Sequence, residues 1–175
     1  AGLAVLFQRE SQRNVVVAIG RCLQTADEQM KVHCLDCLAS VFASDDTSDK
    51  NTLALIHSLY QKLGARPLQL LFQELQQPFN SVRKSCFKLF HNLVSYQWML
   101  ADIRNIPGFF EYLLDRRTEN VKECQELKYE VIKKMSLSPA ASNVFDKPSI
   151  LKLRQFVRDG PFYVGSEVSV SINES

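Results

Sequence analysis

Few residues in this chain are suited to making a turn. Six glycines and six prolines serve 175 residues, about 7% together where average usage is about 12%. Loop-rich and all-β architectures need those residues at their turns, so the shortage excludes both. An excess of one charge is missing too. Twenty-one lysines and arginines face 19 aspartates and glutamates, a net of +2, and such a balance cannot supply the phosphate neutralisation that drives non-specific nucleic-acid binding. Long apolar runs are also absent. Val15-Val16-Val17-Ala18-Ile19 falls far short of the roughly 18–20 residues needed to cross a bilayer. No basic segment followed by a long apolar one opens the chain. Its first residue is Ala1, so a piece of a longer protein is expected. Neither a nucleic-acid nor a membrane partner is implied.

The motifs of chemistry are equally scarce. There is no G-x-G-x-x-G, no P-loop and no D-x-D-x-D-G calcium loop around Asp45, Asp46 and Asp49, so nucleotide and calcium are not expected. The histidines His33, His57 and His91 sit inside helical patterns without a nucleophile elbow. Cys34-Leu35-Asp36-Cys37 is a C-x-x-C next to His33, but a zinc site needs four convergent ligands and no second pair exists. On a helix the two sulfurs are expected to face the core together. The five cysteines, Cys22, Cys34, Cys37, Cys86 and Cys124, are odd in number and irregularly spaced, which reads as reduced thiols in a cytosolic or nuclear protein. No catalytic residue, metal, cofactor or small-molecule substrate is expected.

What the chain does have is apolar residues, 46% of its length, at helical spacing almost throughout. A helix over Asp27–Ala43 carries Met30, Cys34, Cys37, Leu38 and Val41 on one face, with Thr25 and Glu28 as a capping box. Asp45–Asn51 reads as a polar loop, Thr52–Leu63 as a second helix closed by Gly64, and Pro67 opens a third. The same layout returns as Ser81–Val94, Gln97–Ile103 and a helix opened by Pro107, then as Val121–Met135, Ala140–Phe145 and a helix led by Pro148. Pro67, Pro107 and Pro148 stand 40 and 41 residues apart. That period is close to the roughly 40–47 residues of armadillo and HEAT units. Proline costs little at the start of a helix, where its missing N–H would be unpaired anyway.

The expected fold is therefore all-α, an armadillo/HEAT-like right-handed helical-repeat solenoid of about three to four repeats spanning residues 1–164. Gly2–Gln24 would be the remnant of a preceding repeat, helical despite Val15-Val16-Val17. Gly165–Ser175 is polar and serine-rich and is expected to be disordered. The basic clusters at Arg83-Lys84, Arg116-Arg117, Lys133-Lys134 and Arg154 with Arg158, interrupted by acids such as Glu119, read as solvated helix faces. Tyr96 and Trp98 read as core at a helix corner. Stacked repeats expose a long, rigid, polar surface that suits a protein partner and offers no closed pocket. If the last helix of each repeat lines its concave side, the partner-binding residues are Gln69, Gln73 and Gln76, then Glu111 and Asp115, then Lys152 and Gln155. The face changes from neutral to acidic to basic, which would set a partner's register.

One stretch is more specific. Leu151-Lys152-Leu153-Arg154-Gln155-Phe156-Val157-Arg158-Asp159-Gly160-Pro161-Phe162-Tyr163-Val164, with Lys128-Tyr129-Glu130-Val131 and Asn143-Val144-Phe145 before it, resembles the C-terminal end of the 26S proteasome non-ATPase regulatory subunit 5 family. The likeness covers about Leu127–Val164. It implies a helical-repeat chaperone for assembly of the proteasome regulatory particle, a cytoplasmic protein whose partner is the C-terminal domain of one ATPase subunit. The resemblance carries no catalytic residue. An adaptor for extended cargo peptides is the alternative, but a ladder of asparagines and tryptophans is missing, since Asn92 and Trp98 have no counterparts in the neighbouring copies. Within the last copy, Phe162 and Tyr163 are expected to fold back over the core.

Overall fold

The computed structural model of this chain describes residues 10–43 and 50–163, with side chains from residue 15 onward in the first segment. The expected tail and most of the Asp45–Asn51 loop lie outside the described residues. All regular structure within them is helical. A first helix, α1 (Glu10–Thr25), precedes three successive triplets. These are α2 (Glu28–Phe42), α3 (Lys50–Gln61) and α4 (Pro67–Leu75); α5 (Asn80–Leu93), α6 (Gln97–Asn105) and α7 (Phe109–Leu114); and α8 (Lys122–Leu137), α9 (Ala141–Val144) and α10 (Lys147–Asp159). A short 3-10 helix, Arg116–Thr118, joins the second triplet to the third.

Like members of the triplets pack on one another. α5 lies between α2 and α8, α6 packs on α9, α7 on α10, and α1 on α4. Side chains make the remaining connections: His57 of α3 stacks on Trp98 of α6 at 4.7 Å between ring centroids, and Phe72 of α4 meets Phe109 of α7 edge-on at 4.8 Å. One continuous core runs through all three, from Leu35 and Leu38 through Phe87 and Phe90 to Ile132 and Met135. The helices of one triplet cannot cover their own apolar stripes, and their neighbours bury what is left.

Local chemistry sets the helix starts. Asp27 caps α2, its carboxylate accepting from the Met30 amide at 2.9 Å, so the cap is this aspartate and not the expected Thr25–Glu28 box. Asp146 does the same for α10 through Ser149. Pro67 occupies the first turn of α4 as expected. Pro107 does not open α7. It sits before Gly108, whose φ of 80° and the Phe109 N–H to Ile106 carbonyl bond of 3.3 Å make a type II turn, with proline and glycine in the positions that turn favours.

Other expectations need correction. Gly64 follows a turn after Gln61 and is not a left-handed cap, while Lys50 and Asn51 belong to α3. The buried stripe of α2 is Lys31, Cys34, Leu35, Leu38 and Phe42. Met30 and Cys37 face solvent, so the two sulfurs do not enter the core together. Cys37 is three residues beyond Cys34, but the helix is rotated so that Leu35 takes the inner place. Leu151 is 63% exposed. Val15-Val16-Val17 is helical, and α1 comes so close to the next segment that a Cβ on Gly20 would lie 1.9 Å from the Leu63 carbonyl oxygen. Only glycine allows that approach of α1 to the segment between α3 and α4.

Candidate functional site

The close seating of α1 leaves an open groove of about 730 Å³ beside α4. Gln69, Gln73 and Gln76 line it together, joined by Gln24 from α1 and by Gln77. Gln69 and Gln73 of α4 and Gln76 just past its end fall on one face because they are four and three residues apart, opposite the buried Leu68, Leu71 and Leu75. At its floor the Lys31 ammonium donates to both carboxylate oxygens of Glu74 at 3.0 Å. Both groups are buried. Burial pushes the Glu74 carboxyl up, and the hydrogen bonds and charge of Lys31 pull it down. The pair cancels its own charge, so the groove presents neutral carboxamides, with Arg66 at its edge.

The other expected site residues lie apart. Glu111 is exposed beside a separate hollow of about 370 Å³ lined by Arg104, Pro107 and Phe145. Asp115 caps the 3-10 helix, its carboxylate accepting from the Arg117 amide and guanidinium at 2.9 and 3.1 Å. Those bonds hold its carboxyl below the usual range. Lys152 and Gln155 are exposed on α10. Gln155 is engaged locally, donating to Asp159 at 2.8 Å and accepting from Arg158.

A polar network around the second triplet and the connections on either side of it was not legible as such. Arg83, expected in a solvated cluster, is nearly buried and pairs at 3.1 Å with Glu119, whose side chain is 1% exposed. The Tyr112 hydroxyl lies 3.1 Å from the same carboxylate and 2.9 Å from the Leu75 carbonyl oxygen. Arg83 also donates to the Gln77 carbonyl at 2.8 Å. A few residues on, the Lys128 ammonium donates to the carbonyls of Tyr112 (2.9 Å) and Asp115 (2.6 Å) and to the Thr118 hydroxyl (2.7 Å). Burial lowers Lys128 to about 8, against the pull of Glu119 and Asp115. A charged residue at a core period was the available signal for Lys31 and Lys128, but sequence spacing names no partner for either.

The remaining chemistry-bearing residues are dispersed. Among the described residues no three histidines, cysteines, aspartates or glutamates converge as metal ligands. Burial raises the Cys34 thiol to about 12, with Cys22 adding to the shift, and pushes Cys86 well above its ordinary value. Both therefore stay protonated and are poor nucleophiles. Tyr96 is buried and Trp98 half-buried between His57, Tyr60 and Tyr96. Phe162 and Tyr163 do not cover the core. They are about half exposed and lie against Lys122 and Arg116, 5.5 and 5.4 Å from ring centroid to cation. Arg116 itself donates to the carbonyls of Phe156 and Gly160, fastening the end of α10. No described helix is long and apolar enough to cross a membrane.

Comparison with known proteins gives a consistent result. A family model described as proteasome non-ATPase 26S subunit matches residues 1–174. The 26S proteasome non-ATPase regulatory subunit 5 of Bos taurus is 31% identical over 150 residues, 86% of this chain and 30% of the relative. The Homo sapiens protein of the same name is 29% identical over 151 residues with the same coverage, and that of Mus musculus 27%. The chain thus spans about 30% of the length of these relatives. No solved structure matches it.

Proposed function

Because this chain belongs to the proteasome non-ATPase 26S subunit family, we propose that it is part of an armadillo/HEAT-like right-handed solenoid serving as a non-enzymatic assembly chaperone. Its client is an ATPase subunit of the regulatory-particle base, bound through that subunit's C-terminal domain in the cytoplasm. The observation that carries this reading is the packing of like on like through three triplets, with α1 against α4 in the place of a third helix from a preceding unit. Such stacking turns successive third helices toward one side. On this reading that side would carry Gln69, Gln73 and Gln76, followed by Glu111 and Lys152. Asp115 and Gln155 are already engaged by neighbouring residues. The groove is open and lined mainly by neutral carboxamides, which suits a binding role. The relatives bear the name of a regulatory subunit that is not an ATPase, which agrees with a binding role.

The test is direct binding between this purified chain and purified C-terminal domains of the proteasomal ATPase subunits. One domain is expected to bind, and Glu111→Lys is expected to weaken the complex most at low salt, where surface charges are least screened. Absence of binding by every domain overturns the proposal. Binding that ignores Glu111→Lys at all salt concentrations removes the α7 face from it.

A further inference from the structure

The third triplet carries a hollow of about 580 Å³ between the end of α8 and one face of α10. Ile150, Arg154, Val157 and Arg158 line it from α10, and their i, i+4, i+7, i+8 spacing puts them on one helix face. Leu137 and Pro139 close it from the α8 side. Leu137 is 72% exposed, more than any other large apolar side chain described. No acid lines the hollow. Among the described residues Arg154 has no ion-pair partner, and Arg158 meets only its sequence neighbours Gln155 and Asp159. A second copy of this face would set arginine against arginine, which opposes self-pairing.

The chain itself holds a segment of the complementary kind. After α10 the backbone turns at Gly160, with φ 84°, and Phe162 and Tyr163 lie against Lys122 and Arg116. Residues 164–175 follow, outside the described residues. They include Glu167 and Glu174 and no lysine or arginine. Val168, Val170 and Ile172 alternate with Ser169 and Ser171, so an extended backbone places the three apolar side chains on one edge. Reach is ample. Tyr163 to Ile172 spans about 30 Å when extended, while Gly160 back to Ile150 is about 15 Å of helix.

We propose that residues 164–175 fold back along α10 and fill this hollow. Val168, Val170 and Ile172 then cover Leu137, Ile150 and Val157, and Glu167 lies beside Arg154 and Arg158. Ser169 and Ser171 face water, as does the open edge of the backbone. The segment caps the last triplet over an apolar stripe that no described helix covers. The inference is independent of the chaperone role.

The test is backbone order in the segment, read by 15N relaxation on the whole 175-residue chain. Order parameters above about 0.6 are expected for residues 168–172, against lower values for a free tail. Arg154→Glu should shift the docking equilibrium up to about fivefold toward the released form at low salt. The swapped pair Arg154→Glu, Glu167→Arg should restore it. The double variant Val170→Ser, Ile172→Ser should release the segment and move the methyl signals of Leu137 and Ile150, leaving those of Leu68 and Leu71 in place. Values below about 0.6 in the parent chain, or a swapped pair no better than the single reversal, would overturn the proposal. Order that appears only as the protein is concentrated would overturn it as well, because the strand would then be exchanged between copies.

Discussion

Cys86 and Lys128 are each the seventh residue of the first helix of a triplet, and each donates back to the preceding third helix, yet one is a thiol and the other an ammonium. The Cys86 thiol makes a single 3.4 Å contact to the Leu71 carbonyl. Leu71 lies inside α4, which continues to Leu75, so that carbonyl already belongs to a running helix. Lys128 meets α7, which stops at Leu114 after six residues. There the carbonyls of Tyr112 and Asp115 and the Thr118 hydroxyl converge. Oxygens at a helix C-terminus lack intrahelical donors and carry the negative end of the helix dipole. A long side chain with three donors answers that need, and a thiol does not. The identity of the seventh residue thus follows the length of the helix before it.

Lys31 sharpens the contrast. It is also a buried lysine on the first helix of a triplet, but its partner is a carboxylate, Glu74. One cation is balanced by a charge and the other by dipoles, and the two should fail differently. The largest effect is expected at Glu74. Glu74→Leu leaves a buried lysine without its counter-ion and should cost about 3–5 kcal/mol, whereas adding Lys31→Met should recover most of that loss. Urea unfolding with an unchanged slope is the measurement, and a single variant as stable as the parent would show that Lys31 escapes to water.

Next comes Lys128→Cys, which transfers the α5 solution to α8. The Tyr112 carbonyl then loses its ammonium donor, while the Asp115 carbonyl keeps the Thr118 amide and hydroxyl; the loss should be about 2 kcal/mol, whereas Cys86→Ala should cost about 1 kcal/mol. Equal losses would erase the distinction between the two junctions. The pH profile separates the cations more gently. Lys128, lowered by burial to about 8, releases its proton in the folded chain before the unfolded chain does. Its contribution therefore makes stability rise between about pH 8 and the ordinary lysine range near 10.4. Glu74, raised by burial, does the reverse at the acid end: stability falls as pH climbs from its ordinary value through its raised one. Lys128→Met should remove the alkaline rise and leave the acid trend in place. The smallest effect is expected at the exposed Lys84–Glu123 bridge, where Glu123→Gln should leave the urea midpoint within error because water screens that pair.

Much of the architecture was legible beforehand because it follows from apolar spacing. The helix order and the shared face of Gln69, Gln73 and Gln76 came from a 3.6-residue period and a few prolines. The errors have local causes. At α2 apolar spacing puts Met30 and Cys37 inward, because nothing in it reveals that a lysine occupies the buried position one residue after Met30. Arg83 and Glu119 look like ordinary surface residues in a charge pattern, and they are buried because the connection after the 3-10 helix brings Glu119 within 3.1 Å of Arg83 on α5. The groove was half legible: Gln69, Gln73 and Gln76 share a helix face, but Gln24 comes from a helix about 45 residues earlier.

By itself, the sequence determined an all-helical chain, the boundaries of most helices and the identity of the family, since backbone hydrogen bonding and apolar period are properties of neighbouring residues. Tertiary structure decided which charges are buried, which oxygens Lys128 must satisfy and which glutamines meet across one groove. Those outcomes depend on contacts between helices distant in the chain. At the N-terminal end a close approach, at Gly20 and Leu63, seats α1 against the segment that leads into α4.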